Sequence, residues 1–162
     1  MRKIVWTCVL AAAFALGTSA SASADVGMHA TLSGGEETPN PLLTGAVGAV
    51  QIYVDTENME ITVEMRVFNL PTGTTASHIH VGPKGISGPV VIDFPIGRGI
   101  TGDTTLKFRV HDGPAFHPRP DIGIVTFADA IQAIVGGNAY VNVHTTANPG
   151  GEIRGQLVLD QP

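Results

Sequence analysis

Cysteine is almost absent from this 162-residue chain: Cys8 is its one thiol. Cys8 lies in an N-terminal run expected to be cleaved, so the remaining chain has no thiolate nucleophile, thiolate metal site or disulfide. Its stability must come from packing. Positive charge is also scarce. Without Arg2 and Lys3, 7 Lys/Arg remain against 14 Asp/Glu, a formal charge of −7, and the basic residues do not cluster. Nucleic acid and anionic membrane surfaces are therefore excluded as partners, since both recruit proteins through positive patches. No G-x-S-x-G elbow, P-loop or H-E-x-x-H motif occurs, and no carboxylate pair stands out as a glycosidase dyad. These absences favour a binding role over an enzymatic one.

What is present begins with an export signal. Arg2 and Lys3 precede an uncharged apolar run, Ile4 to Leu16, and then the small residues Gly17 to Ala24. Ala22-Ser23-Ala24 fits the small-x-small cleavage rule, which places the mature N-terminus at Asp25. Residues 1–24 are thus expected to be a cleavable signal peptide and residues 25–162 a single domain, secreted or periplasmic. That length suffices for one core without disulfides. No second apolar stretch is long enough to span a membrane.

The rest reads as short strands punctuated by glycine, proline and asparagine. Val50, Ile52 and Val54 alternate with Gln51, Tyr53 and Asp55, and Ile61, Val63, Met65 and Val67 alternate with polar neighbours. This period of two puts one apolar face on each of two strands, and the short Thr56-Glu57-Asn58 turn makes them an antiparallel hairpin. Further strands are expected at 28–33, 76–81, 89–94, 104–110, 139–144 and 152–159. The proline-rich stretch His111 to Asp121 reads as a surface excursion. Phe127 to Val135 reads as the one helix, with Asp129 near its start and Gly136-Gly137 ending it. The expected fold is all-β: a Greek-key β-sandwich or barrel of about eight strands, with one short helix before the penultimate strand.

Chemistry concentrates on two strands. In His78-Ile79-His80 the two imidazoles project from one face, with Cβ atoms ~7 Å apart. In Tyr140-Val141-Asn142-Val143-His144, the valines face the core and Tyr140, Asn142 and His144 share the other face. His78, His80 and His144 together are a candidate site for copper or zinc, both of which suit imidazole. His117, in the proline-rich excursion, is a candidate fourth ligand. The alternative for these rings is ordinary hydrogen bonding to loops at the rim. Arg154 reads as a clamp for loops through its planar fork, with Glu152 balancing its charge.

Four segments carry a family resemblance. They are Leu32-Ser33-Gly34-Gly35-Glu36-Glu37-Thr38-Pro39, Ala76-Ser77-His78-Ile79-His80-Val81-Gly82-Pro83, Gly88-Pro89-Val90-Val91, and Gly137 to Thr145 running into Asn148-Pro149-Gly150-Gly151-Glu152-Ile153-Arg154-Gly155-Gln156-Leu157. In this order they resemble the CHRD (chordin-type) domain, with the Val110 to Ile122 region as an enlarged loop. The resemblance implies the fold and no settled activity. The −7 charge and the lack of a catalytic motif are what favour an exported binding module of unassigned ligand, with rim loops for a protein or cell-surface partner. A weaker similarity, to copper–zinc superoxide dismutase, rests on an H-x-H strand followed much later by a V-x-H strand. It implies a metalloprotein with redox activity as the alternative function, although the spacings differ and the structural disulfide is missing.

Overall fold

The computed structural model describes residues 25–161. The expected signal peptide, with Cys8, lies outside the described residues. Among the described residues there are nine strands: β1 (Val26–Ser33), β2 (Val47–Asp55), β3 (Glu60–Leu70), β4 (Thr74–Val81), β5 (Val90–Asp93), β6 (Gly102–His111), β7 (Ala139–Thr145), β8 (Ile153–Gln156) and β9 (Val158–Leu159). They form one antiparallel sheet in the order β5-β4-β7-β8-β1-β2-β3-β6, with β9 beside β1. The sheet curls around a common core as a half-barrel. The chain crosses between its two halves from β3 to β4, from β5 to β6 and from β6 to β7, in the manner of a Greek key. The count is nine rather than about eight because the last expected strand divides. β8 pairs with β7, while β9 pairs with Met28 and His29 of β1.

Side-chain parity sets the register. Val50, Ile52 and Val54 of β2 lie opposite Met65, Val63 and Ile61 of β3, and all six are buried. A slip of one residue would turn this whole set toward water. The helix α1 (Phe127–Val135) is capped by Thr126, whose hydroxyl accepts from the Asp129 amide while the Asp129 carboxylate accepts from the Thr126 amide. This reciprocal cap satisfies amides that the first turn leaves without partners. Phe127, Ala130, Ile131 and Ile134 bury the inner stripe of α1, and Gly137, at φ 75°, turns the chain out of the helix.

Two features depart from simple alternation. All seven residues of β7 are buried. Val141 and Val143 face the apolar core, and Tyr140, Asn142 and His144 face a second, polar layer roofed by loops. The 111–121 stretch is also less free than its prolines suggest. The Asp93 amide donates to the Ala115 carbonyl at 2.8 Å, and the His117 amide donates to the Val91 carbonyl at 2.9 Å. Ile92 bridges to Phe116, whose ring meets Phe127 edge-on at 5.6 Å. The segment thereby covers the open edge of β5, which would otherwise expose unpaired backbone groups.

Candidate metal centre

The β4–β7 register builds the site. Ala76 lies opposite His144, His78 opposite Asn142, and His80 opposite Tyr140. On the other side of β7, Asn142 lies opposite Arg154 and Tyr140 opposite Gln156. One face of three adjacent strands therefore carries three histidines, a tyrosine, an asparagine, a glutamine and an arginine. The loops around Glu37, Ile86 and Pro149 cover this face.

His78, His80 and His144 each offer one ring nitrogen to a common point, and those nitrogens lie within 4.8 Å of one another. The ring centroids are 5.5 Å apart for His78–His80, 4.9 Å for His78–His144 and 6.2 Å for His80–His144. The outer hydrogen bonds identify the tautomers. His80 Nδ1 is 2.9 Å from the Gly88 carbonyl, and His144 Nδ1 is 3.0 Å from the Pro149 carbonyl. A carbonyl can only accept, so both Nδ1 atoms carry the proton and both Nε2 atoms present a lone pair. His144 Nε2 is 3.1 Å from His78 Nδ1. His80 Nε2 is buried with no hydrogen-bond partner among the described residues.

Tyr140 lies between His80 and Arg154. Its ring stacks on His80 at 4.7 Å and 9°, and the Arg154 guanidinium carbon sits 3.5 Å from its centroid. The Tyr140 hydroxyl accepts from the Gly88 amide at 3.0 Å, so Gly88 holds both rings. Gly88 cannot be replaced without moving the chain, because a Cβ there would stand 1.8 Å from the Val81 carbonyl oxygen. Arg154 donates to the Thr38 hydroxyl and, at 2.9 Å, to the Ile86 carbonyl. It clamps two loops, as its place in the sequence suggests.

The site keeps its rings neutral. Burial pushes His80 down to about 4, against the opposing pull of the Gly88 carbonyl. Burial also lowers His78, with His144 adding to the effect, and it lowers His144. Neutral imidazole is the form that binds metal. Beside them, burial raises Glu37 to about 7 despite the opposing charge of Arg154 and the hydrogen bond from Asn142.

Other expectations place differently. His117 does not join the three rings: its Nε2 is 2.8 Å from Asp93 Oδ2, and Asp93 Oδ1 is 3.5 Å from His78 Nε2. The main-chain pairing of residues 115–117 with β5 holds His117 on the far side of that carboxylate. Glu152 does not balance Arg154. It is fully buried and accepts from Thr44, Thr145 and Asn148. Burial tends to raise its carboxyl, but these three bonds bring it below its ordinary value. The acidic residue near Arg154 is Glu37 instead. Sequence reasoning missed both Glu37 and Asp93. Glu37 sits in a loop without periodicity, and Asp93 reaches the site only through the β4–β5 register, where it lies opposite His78.

Residues 28–157 match the family model of the CHRD domain. No curated protein and no solved structure matches the chain. The matched span runs from Met28, within β1, through β8 and includes every residue of the histidine cluster, the Arg154 clamp and Glu37. The chain belongs to the CHRD domain family.

Proposed function

We propose that this CHRD domain is an exported binding module whose ligand is one zinc or copper ion, held by His78, His80 and His144. The observation that carries this reading is the His80 Nε2 lone pair. It is buried and unpartnered, and it lies within reach of two further imidazole nitrogens. A buried polar atom without a partner costs about 1–3 kcal/mol, which a bound ion would recover. Zinc–nitrogen bonds of about 2.0–2.1 Å in tetrahedral geometry put ligand nitrogens roughly 3.3 Å apart. The His78–His144 pair, at 3.1 Å, already fits, and small ring rotations would draw in His80. Three neutral ligands leave a fourth position for water or another donor. Export rests on the signal-like sequence of residues 1–24.

Zinc titration of the 25–162 protein is expected to give one ion per chain. His80→Ala is expected to weaken binding at least ~100-fold while still melting cooperatively, because loss of even an outer partner of a ligand costs 10–100-fold. Uptake well below one ion per chain, or uptake unchanged by His80→Ala, overturns the reading. Superoxide turnover by copper-loaded protein is the separate test of the redox alternative, and inactive, fully loaded protein rules that chemistry out. Binding of a protein or surface partner through the roof loops is the second reading. It is favoured by Ile86, whose side chain is exposed while its carbonyl accepts from Arg154, and it predicts partner binding that survives His80→Ala.

A further inference from the structure

Two of the three rings are committed. His80 and His144 each spend the Nδ1 proton on a backbone carbonyl, so each offers Nε2 as a lone pair. His78 differs: its Nδ1 faces His144 Nε2 at 3.1 Å, and its Nε2 faces the Asp93 carboxylate at 3.5 Å. A hydrogen bond needs one donor, and His144 Nε2 has no proton to give. In the metal-free protein His78 Nδ1 therefore carries the proton and donates it to His144, which closes the site. An ion at the three nitrogens requires the opposite state, with a bare Nδ1 on His78.

We infer that His78 is the switch ligand of the site and that Asp93 is its positioning residue. Metal entry moves the imidazole proton of His78 from Nδ1 to Nε2, where the Asp93 carboxylate accepts it. The ring stays neutral throughout. The Nδ1 proton leaves to solvent, which the partly exposed His78 side chain contacts, and solvent returns a proton to Nε2. No net proton is released. Asp93 is held ready from its far side by His117, 2.8 Å away, on the segment docked along β5. This gives His117 a part in the site without a place in the ligand set. A ligand imidazole whose other nitrogen donates to a carboxylate is fixed in orientation and made a better donor. Asp93 would supply that outer bond for His78, as the Gly88 and Pro149 carbonyls do for the other two rings.

The inference rests on the proposed metal site, and nitrogen NMR of histidine-labelled protein separates the two. In metal-free protein His78 is expected to be protonated at Nδ1. In zinc-loaded protein it is expected to be protonated at Nε2, while His80 and His144 keep the Nδ1 proton in both states. Asp93→Ala removes a half-exposed side chain and should melt like wild type, yet bind zinc about 10–100-fold more weakly. His78 already protonated at Nε2 without metal overturns the inference, as does wild-type zinc affinity in Asp93→Ala. A wild-type protein that takes up no zinc instead overturns the metal site itself, and the switch falls with it.

Discussion

Replacing Val143 by aspartate is expected to abolish the cooperative thermal transition of the domain. Val143 is fully buried on the core side of β7, between Ser77 of β4 and Ile153 of β8. An aspartate there either buries an unpaired charge or folds protonated with its polar atoms unmet. The effective penalty for one buried ion is several kcal/mol even after relaxation. Domains of this size hold only about 5–15 kcal/mol in total, so the substitution removes most or all of it. Val47→Asp is the matched control: Val47 is exposed on β2 of the same sheet, and its change should stay within about 0.5 kcal/mol. Wild-type-like melting of Val143→Asp would mean that the two faces of β7 are reversed, and the polar layer with them.

Glu37→Gln is expected to stabilise the metal-free protein at alkaline pH. Burial raises the Glu37 carboxyl from 4.5 to about 7, so the folded state binds its proton more tightly than the unfolded state does. The stability this confers is complete below about pH 4.5 and is lost as pH rises through about 7. The loss approaches 3 kcal/mol at one pKa unit per 1.36 kcal/mol. Glutamine has no proton to lose and can still accept from Asn142, so at pH 8 the variant should melt on the order of 10 °C higher. At pH 4.5 the two proteins should melt alike.

His80 runs the other way. Its folded value is depressed to about 4, so its contribution is present above 6.5 and is lost as pH falls through 4. In the wild type these two slopes oppose each other between about pH 4.5 and 6.5, and the lowered His78 and His144 act on the side of His80. Glu37→Gln should remove the opposing slope, so that stability climbs more steeply with pH across that window than in the wild type. Equal melting of variant and wild type at pH 8 would show that Glu37 is ionised in the folded protein at no cost.

Parity is the part of this structure that the sequence carries openly. Alternation in β2 and β3 gives their facing apolar sets, and two-residue spacing in His78-Ile79-His80 and in Tyr140 to His144 puts the site residues on one face. Arg154 announces its clamp through its place after a Pro-Gly-Gly turn. What lies outside parity is the pairing of strands distant in sequence. Asp93 meets His78 only because β5 folds back on β4, and nothing in Val-Val-Ile-Asp-Phe marks its carboxylate. Glu37 is buried because its loop lies over β7 and β8, although its neighbour Glu36 in the same loop remains partly exposed. His117 reads as a candidate fourth ligand because prolines disguise the three-residue pairing with β5 that holds it against Asp93. The polar face of β7 gave a further surprise: its second side is roofed by loops rather than open to water.

X-ray absorption at the zinc edge of stoichiometrically loaded 25–162 protein addresses the three-ring convergence most directly. Three imidazole nitrogens at about 2.0–2.1 Å are expected, with outer-ring scattering from all three. His78→Ala, His80→Ala and His144→Ala should each remove one imidazole from that shell. A first shell of oxygen donors, or one unchanged by any of these substitutions, would contradict a metal centre at this face.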